Sequence, residues 1–167
     1  MRRFLLILSI FGLTACGFHL RSASEIPADL KKIYLETPAS EVGFTGQLKN
    51  ALSGMDVQLA TNKNSAPYTV SISNINFRHD TPSILSVSTP TQYTYTYTLT
   101  YSIITQTNKV LVPPTTLSTS QQLYAEPNQM LTTNSADKRM KQQLQTEAID
   151  MLINSLTSEG VQKKLKQ

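Results

Sequence analysis

Three places in the sequence hold side chains that could do chemistry: Cys16, the triplet Arg78-His79-Asp80, and Lys138-Arg139 with Lys141. Cys16 is the one cysteine of the chain, and His19 and His79 are its two histidines. A disulfide takes two cysteines and a zinc site takes several Cys or His ligands, so the thiol has no partner of either kind. It acts alone. His79 beside Asp80 suggests a general base with an orienting carboxylate, but neighbours along a strand point to opposite faces. A polar cluster leading into a turn is the simpler reading. The glycines are scattered and form no phosphate-cradling loop. Catalysis needs convergent titratable groups, and the sequence supplies none, so we expect no catalytic residue and no metal site. The basic trio opens an amphipathic stretch and is either a solvated helix face or a patch that meets an anion.

Cys16 is explained by what precedes it. Arg2 and Arg3 lead into the apolar run Phe4 to Leu13, the pattern of a secretory signal. That run is shorter than the roughly 20 apolar residues a helix needs to cross a bilayer. Leu13-Thr14-Ala15-Cys16 resembles the bacterial lipobox, in which small residues precede a cysteine that is acylated and becomes the new N-terminus. A thiol is required there because it forms a thioether with a diacylglycerol donor. Covalent acyl chains on Cys16 would be the only prosthetic group, and no other cofactor is expected. One acyl chain anchors only marginally and stable attachment takes at least two signals. Gly17 stands where an aspartate would favour retention in the inner membrane, so by the resemblance to lipoproteins the outer membrane, at its periplasmic face, is the expected address.

These readings divide the chain into a signal over 1–15, a lipidated tether over 16–30, a domain over 31–160 and a basic tail over 161–167. Losing the signal removes Arg2 and Arg3 and halves the formal charge of +4. No clustered basic face remains for nucleic acid. Between Thr81 and Asn108 there is no charged residue, and Lys109 is the only one before Glu126.

The elements follow from periodicity. Tyr93, Tyr95, Tyr97, Leu99, Tyr101 and Ile103 alternate with Thr94, Thr96, Thr98, Thr100 and Ser102, a period of two rich in aromatic and β-branched residues. The Tyr/Leu side should pack on a helix and the threonine side should face solvent or a partner. Tyr68, Val70 and Ile72 alternate before Ile75 and Phe77 resume out of phase, which a β-bulge near Ser73-Asn74 would correct. Between these strands lies a hairpin tip containing Ile84, Leu85 and Val87. A further strand is expected over Leu117 to Tyr124, after a break at Pro113-Pro114, and a first one at Ile33 to Leu35. Phe44, Leu48, Ala51, Leu52 and Met55 fall at helical spacing, and Gly54 suits the end of that helix. A longer helix is expected from Asp137 to Ser158, with Asn134 or Ser135 as cap, Gly160 as stop, and Met140, Leu144, Ala148, Met151, Leu152 and Leu156 as its apolar stripe. The sum is an α+β two-layer sandwich, two helices on one face of a mainly antiparallel four-stranded sheet. The tail, Val161 to Gln167, reads as basic and frayed.

Cys16-Gly17-Phe18-His19-Leu20-Arg21 resembles the Cys-Gly-aromatic-His-Leu-Arg start of the LptE family of lipopolysaccharide-assembly lipoproteins. The similarity extends to Pro27, to Asp80-Thr81 and to Pro127-Asn128-Gln129-Met130. The resemblance implies a non-enzymatic lipoprotein of the outer membrane that sits inside the β-barrel LptD as plug and assembly partner and that contacts lipopolysaccharide. On that footing Ile84, Leu85, Val87, Thr94, Thr96 and Thr98 are the expected barrel contacts. Lys138, Arg139 and Lys141 are the expected lipopolysaccharide contacts, since the hairpin tip lacks the basic residue that family members carry there. The rival reading is a free-standing periplasmic lipoprotein acting as chaperone or carrier of an amphipathic ligand, which would need an internal apolar cavity.

Overall fold

The computed structural model describes residues 26–80, 91–125 and 133–166. The element order is β1 (Lys32–Glu36), α1 (Val42–Ser53), β2 (Gln58–Leu59), β3 (Tyr68–Asp80), β4 (Thr91–Thr105), β5 (Val110–Ala125), α2 (Thr133–Leu156) and α3 (Glu159–Leu165). A 3-10 turn, Ala28–Leu30, precedes β1, and a second one, Lys63–Ser65, precedes β3. The α+β class stands, with five strands in the order β2-β1-β3-β4-β5 rather than four. The sheet is mixed. β1 runs parallel to both β2 and β3, while β3, β4 and β5 are antiparallel. The added strand, β2, is two residues long and carries too little sequence for a period to show.

The alternation in β4 is the organising fact. Tyr93, Tyr95, Tyr97, Leu99, Tyr101 and Ile103 are all buried, and they face Met140, Leu144, Ala148, Ile149, Leu152 and Leu156 of α2 together with Phe44, Leu48 and Leu52 of α1. Burying each of these large side chains stabilises the fold by about 1.5–3 kcal/mol. Where α1 and α2 meet, the buried amide of Gln145 donates from Nε2 to Oε1 of Gln47 at 2.8 Å, so the polar group is not left unsatisfied. In β3 the expected bulge is present: Ser73 pairs with Thr100 and Asn76 with Thr98, leaving Asn74 and Ile75 opposite Leu99. Asn74 supplies the left-handed backbone there, with φ of 48°. Asparagine tolerates that conformation better than most residues.

Four expectations are corrected. Pro113-Pro114 does not break the chain, because β5 begins at Val110 and runs through them. β5 lies at the edge of the sheet, where a missing N–H removes nothing from a ladder, and the two prolines together oppose Ser102 in a bulge. α2 starts at Thr133, so Asn134 and Ser135 lie inside it rather than capping it. Gly160 is not a stop. α2 ends at Leu156, Ser158 caps a new helix by accepting from the Val161 N–H, and Gly160 is the second residue of that helix. Nor is the tail frayed: Val161 and Leu165 are buried four residues apart, and the Tyr68 hydroxyl donates to the Leu165 carbonyl at 3.5 Å. So short a helix is marginal alone, and its docking on the core holds it.

Candidate functional site

β1 pairs with β3 only as far as Ser71, so the later half of β3 projects beyond it with β4 and β5. At about 3.3 Å per residue the projection from Ser71 to Asp80 is about 30 Å. One face of this hairpin carries α2. Among the described residues the other carries no helix, and its centre line is Thr94, Thr96, Thr98, Thr100 and Ser102. Directly opposed residues share a face, which defines the flanks. Thr94 lies between Asp80 and Gln122, Thr96 between Arg78 and Ser120, and Thr98 between Asn76 and Ser118. Thr100 and Thr116 join hydroxyl to hydroxyl at 2.9 Å. Arg78 and Asp80 neutralise each other, Nε to Oδ2 at 3.2 Å. The result is a half-exposed surface of hydroxyls and amides without net charge.

The expected barrel contacts Thr94, Thr96 and Thr98 therefore stand side by side in the middle of one face. Ile84, Leu85 and Val87 lie outside the described residues, as does Cys16. Lys138, Arg139 and Lys141 are exposed on the first turns of α2, and among the described residues they form no ion pair. They do not sit on the threonine face, because α2 packs on the opposite side of the sheet.

Sequence reasoning missed what fixes that helix start to the hairpin. The Tyr95 hydroxyl donates to Asp137 Oδ1 at 2.8 Å, and His79 Nδ1 stands 3.7 Å from Asp137 Oδ2. The His79 ring packs against Tyr95, centroids 5.6 Å apart, and against Tyr93 at 6.5 Å. Burial, and then the hydrogen bond to Asp137, push the Tyr95 hydroxyl up to about 12. His79 thus belongs to the inward face and answers to Asp137 rather than Asp80. Counting by two from Phe77 would have placed it inward, but nothing local names a partner nearly sixty residues away. Deeper in, Tyr97 is fully buried and its hydroxyl has no hydrogen-bond partner among the described residues; burial raises its pKa strongly, with Glu41 adding to the effect.

Among the described residues no cluster of three or more His, Cys, Asp or Glu could hold a metal ion, and no helix is long and apolar enough to cross a membrane. Two surface concavities, of about 470 and 260 Å³, lie away from the threonine face. The larger is bordered by Asp29, Lys31, Lys32 and Asp56, the smaller by Pro38, Val42, Gly46 and Lys49. Both are open grooves.

Comparison with known families settles where this architecture belongs. The family model described as LptE, Lipopolysaccharide-assembly, matches residues 30–156, most of the chain. The chain belongs to the LptE family. The matched span closes at the last residue of α2 and leaves α3 outside it. Three solved structures share the LptE-family fold seen here. A minor lipoprotein from Acinetobacter baumannii superposes with a TM-score of 0.65 at 20% identity, covering 77% of this chain and 91% of that one. An uncharacterised lipoprotein B from Nitrosomonas europaea gives 0.68 at 18% identity over 88% and 96%. The rare lipoprotein B from Shewanella oneidensis gives 0.66 at 13% identity over 79% and 98%.

Proposed function

We propose that this LptE-family chain is an outer-membrane lipoprotein, anchored through acyl chains on Cys16, that plugs the LptD barrel and assists its assembly into the translocon placing lipopolysaccharide in the outer leaflet. Its role is structural, without a catalytic step. The observation that carries the reading is the hydroxyl and amide face along β4 and its neighbours, which has no net charge. A wide barrel has a polar lumen, and hydroxyls and amides can pair with whatever donors and acceptors its wall presents. An unpaired charge enclosed there would be costly, and the one pair on this face, Arg78 with Asp80, is already closed on itself. The segment that joins β3 to β4, with Ile84, Leu85 and Val87, would lead the insertion, since apolar side chains exposed there have more use at a partner wall or an acyl chain than in water. Lys138, Arg139 and Lys141 stand at the hairpin end of α2, where they would meet the phosphates of lipopolysaccharide as it passes. The carrier alternative asks for an enclosed apolar cavity, whereas the two grooves described at the surface are open and partly polar.

A photo-crosslinking residue placed at Thr96, with a second variant carrying it at the exposed Lys163 of α3, tests the proposal in the lipidated protein in cells. Capture of the barrel from Thr96 and not from Lys163 is the expected result. Equal labelling from both positions, or none from Thr96, would remove the plug reading.

A further inference from the structure

The free edges of this sheet are protected very unequally. An edge strand offers a row of unpaired N–H and C=O groups, and natural sheets blunt such rows with short strands, bulges, prolines or charges. The β2 edge is two residues long. The free part of β3 has the Asn74 bulge and the charges of Arg78 and Asp80. On β5 the prolines and register shifts are confined to the part before Thr115. From Thr115 to Ala125 the ladder with β4 is unbroken, and the sequence holds no charge, no proline and no glycine. Among the described residues nothing pairs with its outer side.

We infer that this edge pairs with the same edge of a second copy of the chain, antiparallel about a two-fold axis at Ser120. A closed barrel has every wall strand already paired, so its wall offers no free edge to β5, whereas a second copy offers one of identical length and no charge. Side chains alternate, so only registers that oppose residues of like face are allowed. The register that uses the whole of Thr115 to Ala125 sets Ser120 against itself. It then sets Leu117 against Leu123 on the helix side, twice by symmetry, covering two half-buried leucines in each copy. On the open side Ser118 meets Gln122. No like charges face each other anywhere along the seam. The pairing belongs to the lipoprotein apart from any barrel, and it does not depend on the plug reading.

The test uses the full lipidated chain in detergent. Ser120→Cys places two thiols across the axis at the separation of an antiparallel pair, about 4.5–5.5 Å between Cα atoms, which a disulfide spans. Thr96→Cys, in the middle of β4, and the wild-type chain with only Cys16 are the controls. Mild oxidation should give at least about tenfold more disulfide dimer from Ser120→Cys than from either control, because the paired edge raises the effective concentration of the thiols. The wild-type chain should also sediment as a dimer, and Ser120→Lys, a change at an exposed position, as a monomer. Equal cross-linking from Ser120→Cys and Thr96→Cys, or a wild-type chain that stays monomeric, overturns the inference. So does Ser120→Cys capturing a different envelope protein in place of its own copy.

Discussion

At the residue scale, the hydrogen bond between Tyr95 and Asp137 decides how the basic start of α2 is held against the hairpin. A hydrogen bond to a charged group contributes about 1.5–3 kcal/mol, so Tyr95→Phe should lower stability by that order at neutral pH. The pH dependence has a definite sign. The folded hydroxyl titrates near 12 against an ordinary 10.0, so the folded state favours the protonated form. The contribution is complete below pH 10 and is lost as pH rises from about 10 toward 12. Denaturation of both proteins across that range should show the gap between wild type and Tyr95→Phe shrinking; a gap constant with pH would mean that the hydroxyl does not sense Asp137. Tyr97 titrates in both proteins and cancels from the difference.

At the element scale, the bulge in β3 and the α2 stripe carry separable predictions. Asn74 holds a left-handed backbone at φ of 48°, which a β-branched side chain resists. Asn74→Val should cost about 1–3 kcal/mol, while Asn74→Gly should stay within about 0.5 kcal/mol. Chemical denaturation of the two variants side by side checks this, and equal midpoints would count against the bulge. Leu152 is fully buried in α2 against β4, and Leu152→Ala should cost about 2–5 kcal/mol in a core this well packed. A denaturation midpoint that does not move would mean the helix presents another face.

For the whole molecule, the proposed membrane anchor rests on a single thiol, Cys16. Cys16→Ala should leave an unacylated precursor that keeps residues 1–15, and mass spectrometry of the N-terminus reads both points. A wild-type protein beginning elsewhere, or carrying an unmodified Cys16, would remove the anchor from the account.

Patterns of short range were legible in the sequence because each repeats. The two-residue alternation of β4 named its buried face and its threonine face, and a phase slip of one residue located the bulge at Asn74. The spacing of Phe44, Leu48 and Leu52 gave α1, and Met140, Leu144, Ala148, Leu152 and Leu156 gave the stripe of α2; the expected Met151 is not in the core, and Ile149 takes its place. What the sequence alone could not decide depends on neighbours distant in the chain. Pro113 and Pro114 break a central strand and are tolerated at an edge, and only the sheet order says which applies. Val161 and Leu165 are too few to announce a helix, yet burial against the core makes one. His79 had an adjacent carboxylate in sequence and a different one in space, because a strand turns neighbours apart while the fold brings Asp137 across. Local order followed from side-chain periodicity; pairing, edge and partner were settled by tertiary contact, which periodicity does not encode.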